Sequence, residues 1–379
     1  MVDIIGFVVF VKNYSSGKLI FLNSTIGAIK MTLIVFLWGI ISYVFNGGGQ
    51  MASHLAFIVP FFSFFGVYLI AKLTLEEIYS YRQFYWLIII AIFVACLCSF
   101  LIAFSPGMYD LIGKFQEYQL GNINSIGDDP SNMFRLIGIG TSCFFGAYKY
   151  ASLGLLLLTY MILSEKKKRN LIILIGMYFV ITVSSLLSVR TSIIVVALSL
   201  IWFFMVSLRK NLGAGIAFIG LLVLVVWFVN SYLLYLLPDR MYTWALELFL
   251  SEEIGDTTVS TIIDWFTDFS PSLKTFLIGD SIYTNVDGTY YGHVDIGFLR
   301  RILYGGIIGL LLGLYVVFYM MKKIYHEDKS LKVFLVFLFL SFLGSLAKGD
   351  DSIDFQLLLL LGSLEYFRKS KKFIYANVR

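Results

Sequence analysis

Three observations predict an all-α polytopic membrane protein: repeated apolar runs long enough to cross a bilayer, a scarcity of charge, and basic residues gathered beside those runs. The reading gives about ten (10–12) transmembrane helices and one large, partly ordered extracytoplasmic loop. The chain is 59% hydrophobic and only 14% charged, whereas soluble domains carry about 25% charged residues. Ten-residue alternating strands, the mark of a membrane β-barrel, are absent from the pattern. The net charge of +5 sits in short clusters flanking the spans, so it reads as a positive-inside signature and excludes a nucleic-acid partner. Cys96, Cys98 and Cys143 fall within spans and behave as small apolar residues, with neither a disulfide framework nor a metal site.

Met1 to Val11 is too short to span and lacks a basic n-region, so it reads as an interfacial segment and not as a cleaved signal. The first span covers Ile26 to Phe45 and ends at the Asn46-Gly47-Gly48-Gly49-Gln50 turn; the second covers Ala52 to Ala71 and the third Phe84 to Phe104. An outer loop at 105–135 precedes the fourth span, Leu136 to Leu163, which carries Lys149. Glu165-Lys166-Lys167-Lys168-Arg169 is the strongest cytoplasmic marker. As one helix, Leu171 to Leu208 would reach about 57 Å, far beyond a hydrocarbon core of roughly 30 Å. A split at Ser188-Val189-Arg190-Thr191-Ser192 gives two ordinary spans and returns Arg209-Lys210 to the cytoplasm. A seventh span, Gly213 to Leu237, completes an N-terminal membrane region at 1–237.

The large loop occupies 238–295. From Leu237 to Val294 it holds nine acidic residues and two basic ones, Arg240 and Lys274. Its Trp, Tyr, Phe and Leu content is too high for a disordered insertion. The C-terminal region, 296–379, holds three spans, Ile296 to Met321, Leu331 to Ala347 and Asp354 to Phe367, and a basic cytoplasmic tail. Within the eighth span, Gly305, Gly309 and Gly313 form a small-residue face suited to close helix packing.

Charge at membrane depth is costly and marks candidate functional positions. Arg190 stands at the corner between the fifth and sixth spans, and Arg240 opens the large loop. His293 closes that loop, with Tyr291 and Asp295 beside it, and Arg300 and Arg301 follow about one turn into the eighth span. Guanidinium groups grip phosphate through two parallel hydrogen bonds, and a lipid-linked diphosphate lies at this depth. Adjacent helical positions diverge by about 100°, so Arg300 and Arg301 cannot face one cavity together. The loop's Trp244, Trp265, Tyr283, Tyr290 and Tyr291 suit sugar C–H faces, and also suit a small loop core and membrane belt. Asp128, Asp129, Asp350, Asp351 and Asp354 lack histidine partners and ligand spacing, so they read as solvated turns and no metal site is expected.

The Ser188-Val189-Arg190-Thr191-Ser192 corner, Arg240 at the loop's start and Gly292-His293-Val294-Asp295-Ile296-Gly297-Phe298-Leu299-Arg300 at its end together resemble the Wzy-type O-antigen polymerase family. That family lies within the larger polymerase and ligase group of GT-C-like glycosyltransferases. The resemblance implies a metal-independent enzyme without a cofactor, in the bacterial plasma (inner) membrane, with its site on the periplasmic face. It implies undecaprenyl-diphosphate-linked glycans as substrates, membrane lipids as surroundings and a chain-length regulator protein as a partner. His293, Arg190 and Arg240 would be catalytic; Arg300, Arg301, Asp295 and Tyr291 would bind diphosphate and glycan. The family's ligases usually carry an Asn-rich stretch after the histidine, where this chain has Val294-Asp295-Ile296-Gly297; this favours a polymerase over a ligase. A lipid-linked oligosaccharide flippase is the competing class, and it would distribute charge across several spans and depths.

Overall fold

The computed structural model describes residues 2–51, 58–75, 80–105, 107–108, 145–189, 191–210, 220, 269–285, 291–294, 296–347 and 354–377. It is all-helical, with no strand among the described residues. The helices are α1 (Val2–Ser15), α2 (Asn23–Phe45), α3 (Val59–Leu75), α4 (Tyr81–Phe104), α5 (Phe145–Ser164), α6 (Lys168–Ser188), α7 (Ser192–Lys210), α8 (Leu273–Ile278), α9 (Gly297–Glu327), α10 (Lys332–Ala347) and α11 (Asp354–Asn377). Five of the described helical stretches are long and apolar enough to cross a membrane: Asn23–Phe45, Tyr81–Ile102, Lys168–Ser188, Gly297–Glu327 and Lys329–Ala347. These mark a membrane protein. The predicted seventh span apart from Gly220, and most of both predicted outer loops, lie outside the described residues.

The chain forms two compact units, each assembled from separate segments. One comprises Met1–Phe84, Thr261–Leu335 and Ser345–Arg379; the other comprises Tyr85–Ser260 and Val336–Gly344.

In the second unit, the apolar run after Arg169 breaks where its length requires, with α6 ending at Ser188 and α7 starting at Ser192. Helices meet there through small residues and short polar contacts, the usual adhesion where apolar surface alone gives no preference between helix and lipid. Tyr148 donates its hydroxyl to the Ser341 carbonyl at 2.8 Å, and the Ser152 and Ser341 hydroxyls lie 2.7 Å apart. Trp202 stacks on Phe337 with ring centroids 5.3 Å apart.

In the first unit, α1 lies along α3. A Cβ on Gly6 would fall 2.1 Å from the Phe65 carbonyl oxygen, so only glycine permits this approach. Phe7 and Phe10 pack edge-to-face on Phe65, and the Asn13 amide donates to the Tyr68 hydroxyl at 3.0 Å. The start of α2 is closed from a distant part of the chain. Leu22 offers no side-chain cap; instead the Glu365 carboxylate accepts from the Ser24 and Thr25 amides and the Thr25 hydroxyl, each at 3.0 Å. Glu365 is 1% exposed and pairs with Lys369 at 3.1 Å. A carboxylate at a helix N-terminus satisfies orphan N–H groups and meets the positive end of the helix dipole, which makes its burial tolerable.

The eighth span departs from expectation. The 31 residues of α9 would reach about 46 Å as one helix. The helix is interrupted at Gly306, which stands at φ 71°, ψ 174°, a region open essentially to glycine alone. The part beyond the break, Ile307 to Glu327, is about 31 Å long, close to one hydrocarbon core. Gly305 and Gly313 touch nothing where a Cβ would stand, whereas Gly309 approaches the Trp38 ring at 3.3 Å. The series Gly305, Gly309 and Gly313 therefore makes one close helix contact and no continuous packing face, and the chain break falls on its neighbour Gly306.

Candidate functional site

Three successive carbonyls just before the break at Gly306 accept hydrogen bonds from outside the helix. Losing the helical bonds to the next turn frees the carbonyls of Leu303, Tyr304 and Gly305. The Asp280 amide donates to Leu303 O at 2.7 Å and the Ser281 amide to Tyr304 O at 3.0 Å. The Trp38 indole N–H donates to Gly305 O at 2.7 Å. A break in a span-length helix is sustainable only when the surrounding protein supplies such donors.

Two of these donors come from the strap that follows α8, and the third, Trp38, comes from α2. Ser272 caps α8 by accepting the Thr275 amide at 3.1 Å, and Gly279 ends the helix at φ 81°, ψ 175°. The two glycines fit against each other's backbone. A Cβ on Gly279 would lie 2.4 Å from the Tyr304 carbonyl group, and one on Gly306 would lie 2.0 Å from Leu277 O. Helix α2 closes the far side, where the Ser42 hydroxyl donates to Ile278 O and the Asn46 amide to Gly279 O, both at 2.9 Å.

The strap, Asp280 to Thr284, organises the predicted site residues that the structure describes. The Asp280 carboxylate accepts the Thr275 hydroxyl at 3.0 Å and the Tyr291 hydroxyl at 3.1 Å. Burial, the charge of Asp280 and its hydrogen bond all push the Tyr291 phenol above its usual pKa, so Tyr291 stays a neutral donor near pH 7. The Tyr291 amide donates to Tyr283 O at 3.1 Å. Arg300 is 6% exposed and lays its guanidinium over the Tyr283 ring, 4.5 Å from the centroid. Tyr283 in turn meets Tyr304 edge-to-face. Tyr291 and Arg300, nine positions apart in the chain, thus share one support.

His293 is held by its backbone in the turn Tyr291–His293, where Gly292 adopts φ 70°, ψ 9°. The turn is anchored by Val294, Ile296, Leu299 and Leu303, which form a buried apolar cluster with Phe269, Tyr291 and Phe298 against it. Arg301 faces elsewhere. It lines a groove with Val35, Trp38, Gly39, Tyr304, Gly305 and Gly309, so the neighbouring arginines part company as helical geometry requires. Arg190, Arg240 and Asp295 lie outside the described residues, as do Asp128, Asp129, Asp350 and Asp351.

Sequence reading overlooked Gln50, which appeared only as the last residue of a glycine turn. Its side-chain oxygen accepts from the Tyr283 and Thr284 amides, each at 2.9 Å, and its own amide group donates to Thr284 O at 2.5 Å. Its backbone N–H donates to Ser281 O at 2.8 Å and its carbonyl accepts the Tyr304 hydroxyl at 3.1 Å. Among the described residues no group of three His, Cys, Asp or Glu side chains is placed to hold a metal ion. Comparison with protein-family models, with curated proteins and with solved structures found no match in any of the three.

Proposed function

We propose that this chain is a membrane-embedded glycosyltransferase that polymerises undecaprenyl-diphosphate-linked oligosaccharide repeats into O-antigen or capsular polysaccharide on the outer face of the bacterial plasma membrane. The observation that carries the reading is the common support of Tyr291 and Arg300 on the Asp280–Tyr283 strap, with the His293 turn between them. This joins a phosphate-gripping cation, a neutral tyrosine hydroxyl and an imidazole-bearing turn within the segment that resembles the family's loop end.

In the proposed reaction, a hydroxyl at the non-reducing end of the acceptor repeat attacks the anomeric carbon of the donor glycan. A new glycosidic C–O bond forms, and the bond from that carbon to the diphosphate oxygen breaks. His293 takes the hydroxyl proton, with Asp295 the alternative base. The undecaprenyl diphosphate leaves with the electron pair, its charge met by Arg190 and Arg240. Arg300 contributes a further phosphate contact from its buried place, Tyr291 accepts a hydrogen bond from a glycan hydroxyl, and Arg301 meets the glycan from the groove side.

Cells lacking this protein test the reading. Their lipid-linked glycans should collapse to single repeats, and the wild-type gene should restore the ladder. Polymer that still forms on the carrier but is no longer joined to its final acceptor would identify a ligase instead. Single repeats trapped on the inner face would identify a flippase.

A further inference from the structure

We propose that Gln50 is the positioning residue for the Arg300 guanidinium and acts through Tyr283. The inference rests on the reading above that Arg300 meets the donor diphosphate. Gln50 bonds to the strap as a neighbouring strand would: one oxygen holds two successive amides, those of Tyr283 and Thr284, while the amide group holds Thr284 O. Its backbone adds bonds to Ser281 and Tyr304. The backbone of Tyr283 is thereby fixed from α2's end, and the Tyr304 ring braces its side chain. The ring so fixed is the surface on which Arg300 lies.

A buried arginine has many rotamers, and an aromatic face on one side selects among them. Held there, the guanidinium keeps its planar fork in one orientation for a bidentate phosphate contact. The glycines before Gln50 make this reach feasible. Gly49 adopts φ 146°, and a Cβ on it would come 2.4 Å from Ser281 O, so the loop can lie directly on the strap.

The test measures binding of farnesyl diphosphate, a soluble prenyl diphosphate, to the purified full-length protein and its variants. Arg300→Ala should weaken binding, and Gln50→Ala should weaken it by roughly tenfold, the scale of a lost cation–π restraint together with some disorder at the fork. The double variant should bind no more weakly than Arg300→Ala alone, since Gln50 has no effect once its target is gone. Tyr283→Ala should match Gln50→Ala, and Tyr283→Phe, which keeps the ring, should recover most of the loss. That pair carries the test if Gln50→Ala fails to fold. Arg300→Ala weakening binding while Gln50→Ala binds like wild type would overturn the positioning role and leave the site reading intact. Additive losses in the double variant would also overturn it. Unchanged binding in Arg300→Ala would remove the phosphate role of Arg300 itself, and this inference with it.

Discussion

Gly306→Ala is expected to destabilise the protein by on the order of 4 kcal/mol, while Gly305→Ala, one residue away, should be close to neutral. The contrast isolates conformation from composition. At position 306 the backbone occupies a glycine-only region, and an added methyl would stand 2.0 Å from a backbone oxygen of α8. Neither the φ angle nor the Leu277 carbonyl can move without breaking the bonds from Asp280 and Ser281 to the opened turn. At position 305 the methyl would meet nothing within 4 Å, and alanine favours helix over glycine by up to about 1 kcal/mol. Denaturant unfolding of both purified variants in the same detergent checks this. Equal midpoints would mean that the break is not a rigid feature of the fold.

His293→Ala should reduce polymerisation by about 10²- to 10⁴-fold, the usual cost of removing a general base, while leaving donor-lipid binding nearly unchanged. The proposed partner of His293 is the acceptor hydroxyl, so its loss belongs in turnover and not in affinity. The two arginines on α9 provide the matched comparison. Arg300→Ala should weaken donor binding more than Arg301→Ala, because Arg300 is held on Tyr283 beside Tyr291 whereas Arg301 lines the groove by Trp38. Chain length and donor affinity, measured for each variant at matched membrane abundance, check both statements. Full-length polymer at the wild-type rate from His293→Ala would remove His293 from the site.

The helical class and the turn between α6 and α7 were legible because both follow from length. A run from Leu171 to Leu208 exceeds a bilayer as one helix, and the serines around position 190 mark where it turns. The divergence of Arg300 from Arg301 was legible for a similar reason, since it depends only on the angular step of a helix. Gly306 was not legible. Gly305, Gly309 and Gly313 fit a helix-packing pattern, and nothing local distinguishes a glycine that faces a neighbour from one that interrupts the chain. The distinguishing fact is the Leu277 carbonyl, contributed from α8. Gln50 and Glu365 were missed for the same cause. Each stands in an unremarkable local setting, a glycine turn and the end of an apolar span, and each acts on backbone groups far away in sequence. The Asp280 contacts to Thr275 and Tyr291 likewise turn one acid among the loop's nine into a fixed support.

On the proposed function, this chain joins lipid-linked repeats by itself, using arginines where other enzymes use a divalent ion. The most direct test reconstitutes the purified protein in vesicles with undecaprenyl-diphosphate-linked repeats and excess chelator, then separates the products by size. The account predicts a ladder of longer lipid-linked glycans, with undecaprenyl diphosphate released in proportion to the bonds formed. Single repeats only, with chelator or with added magnesium and with no diphosphate carrier released, would contradict it.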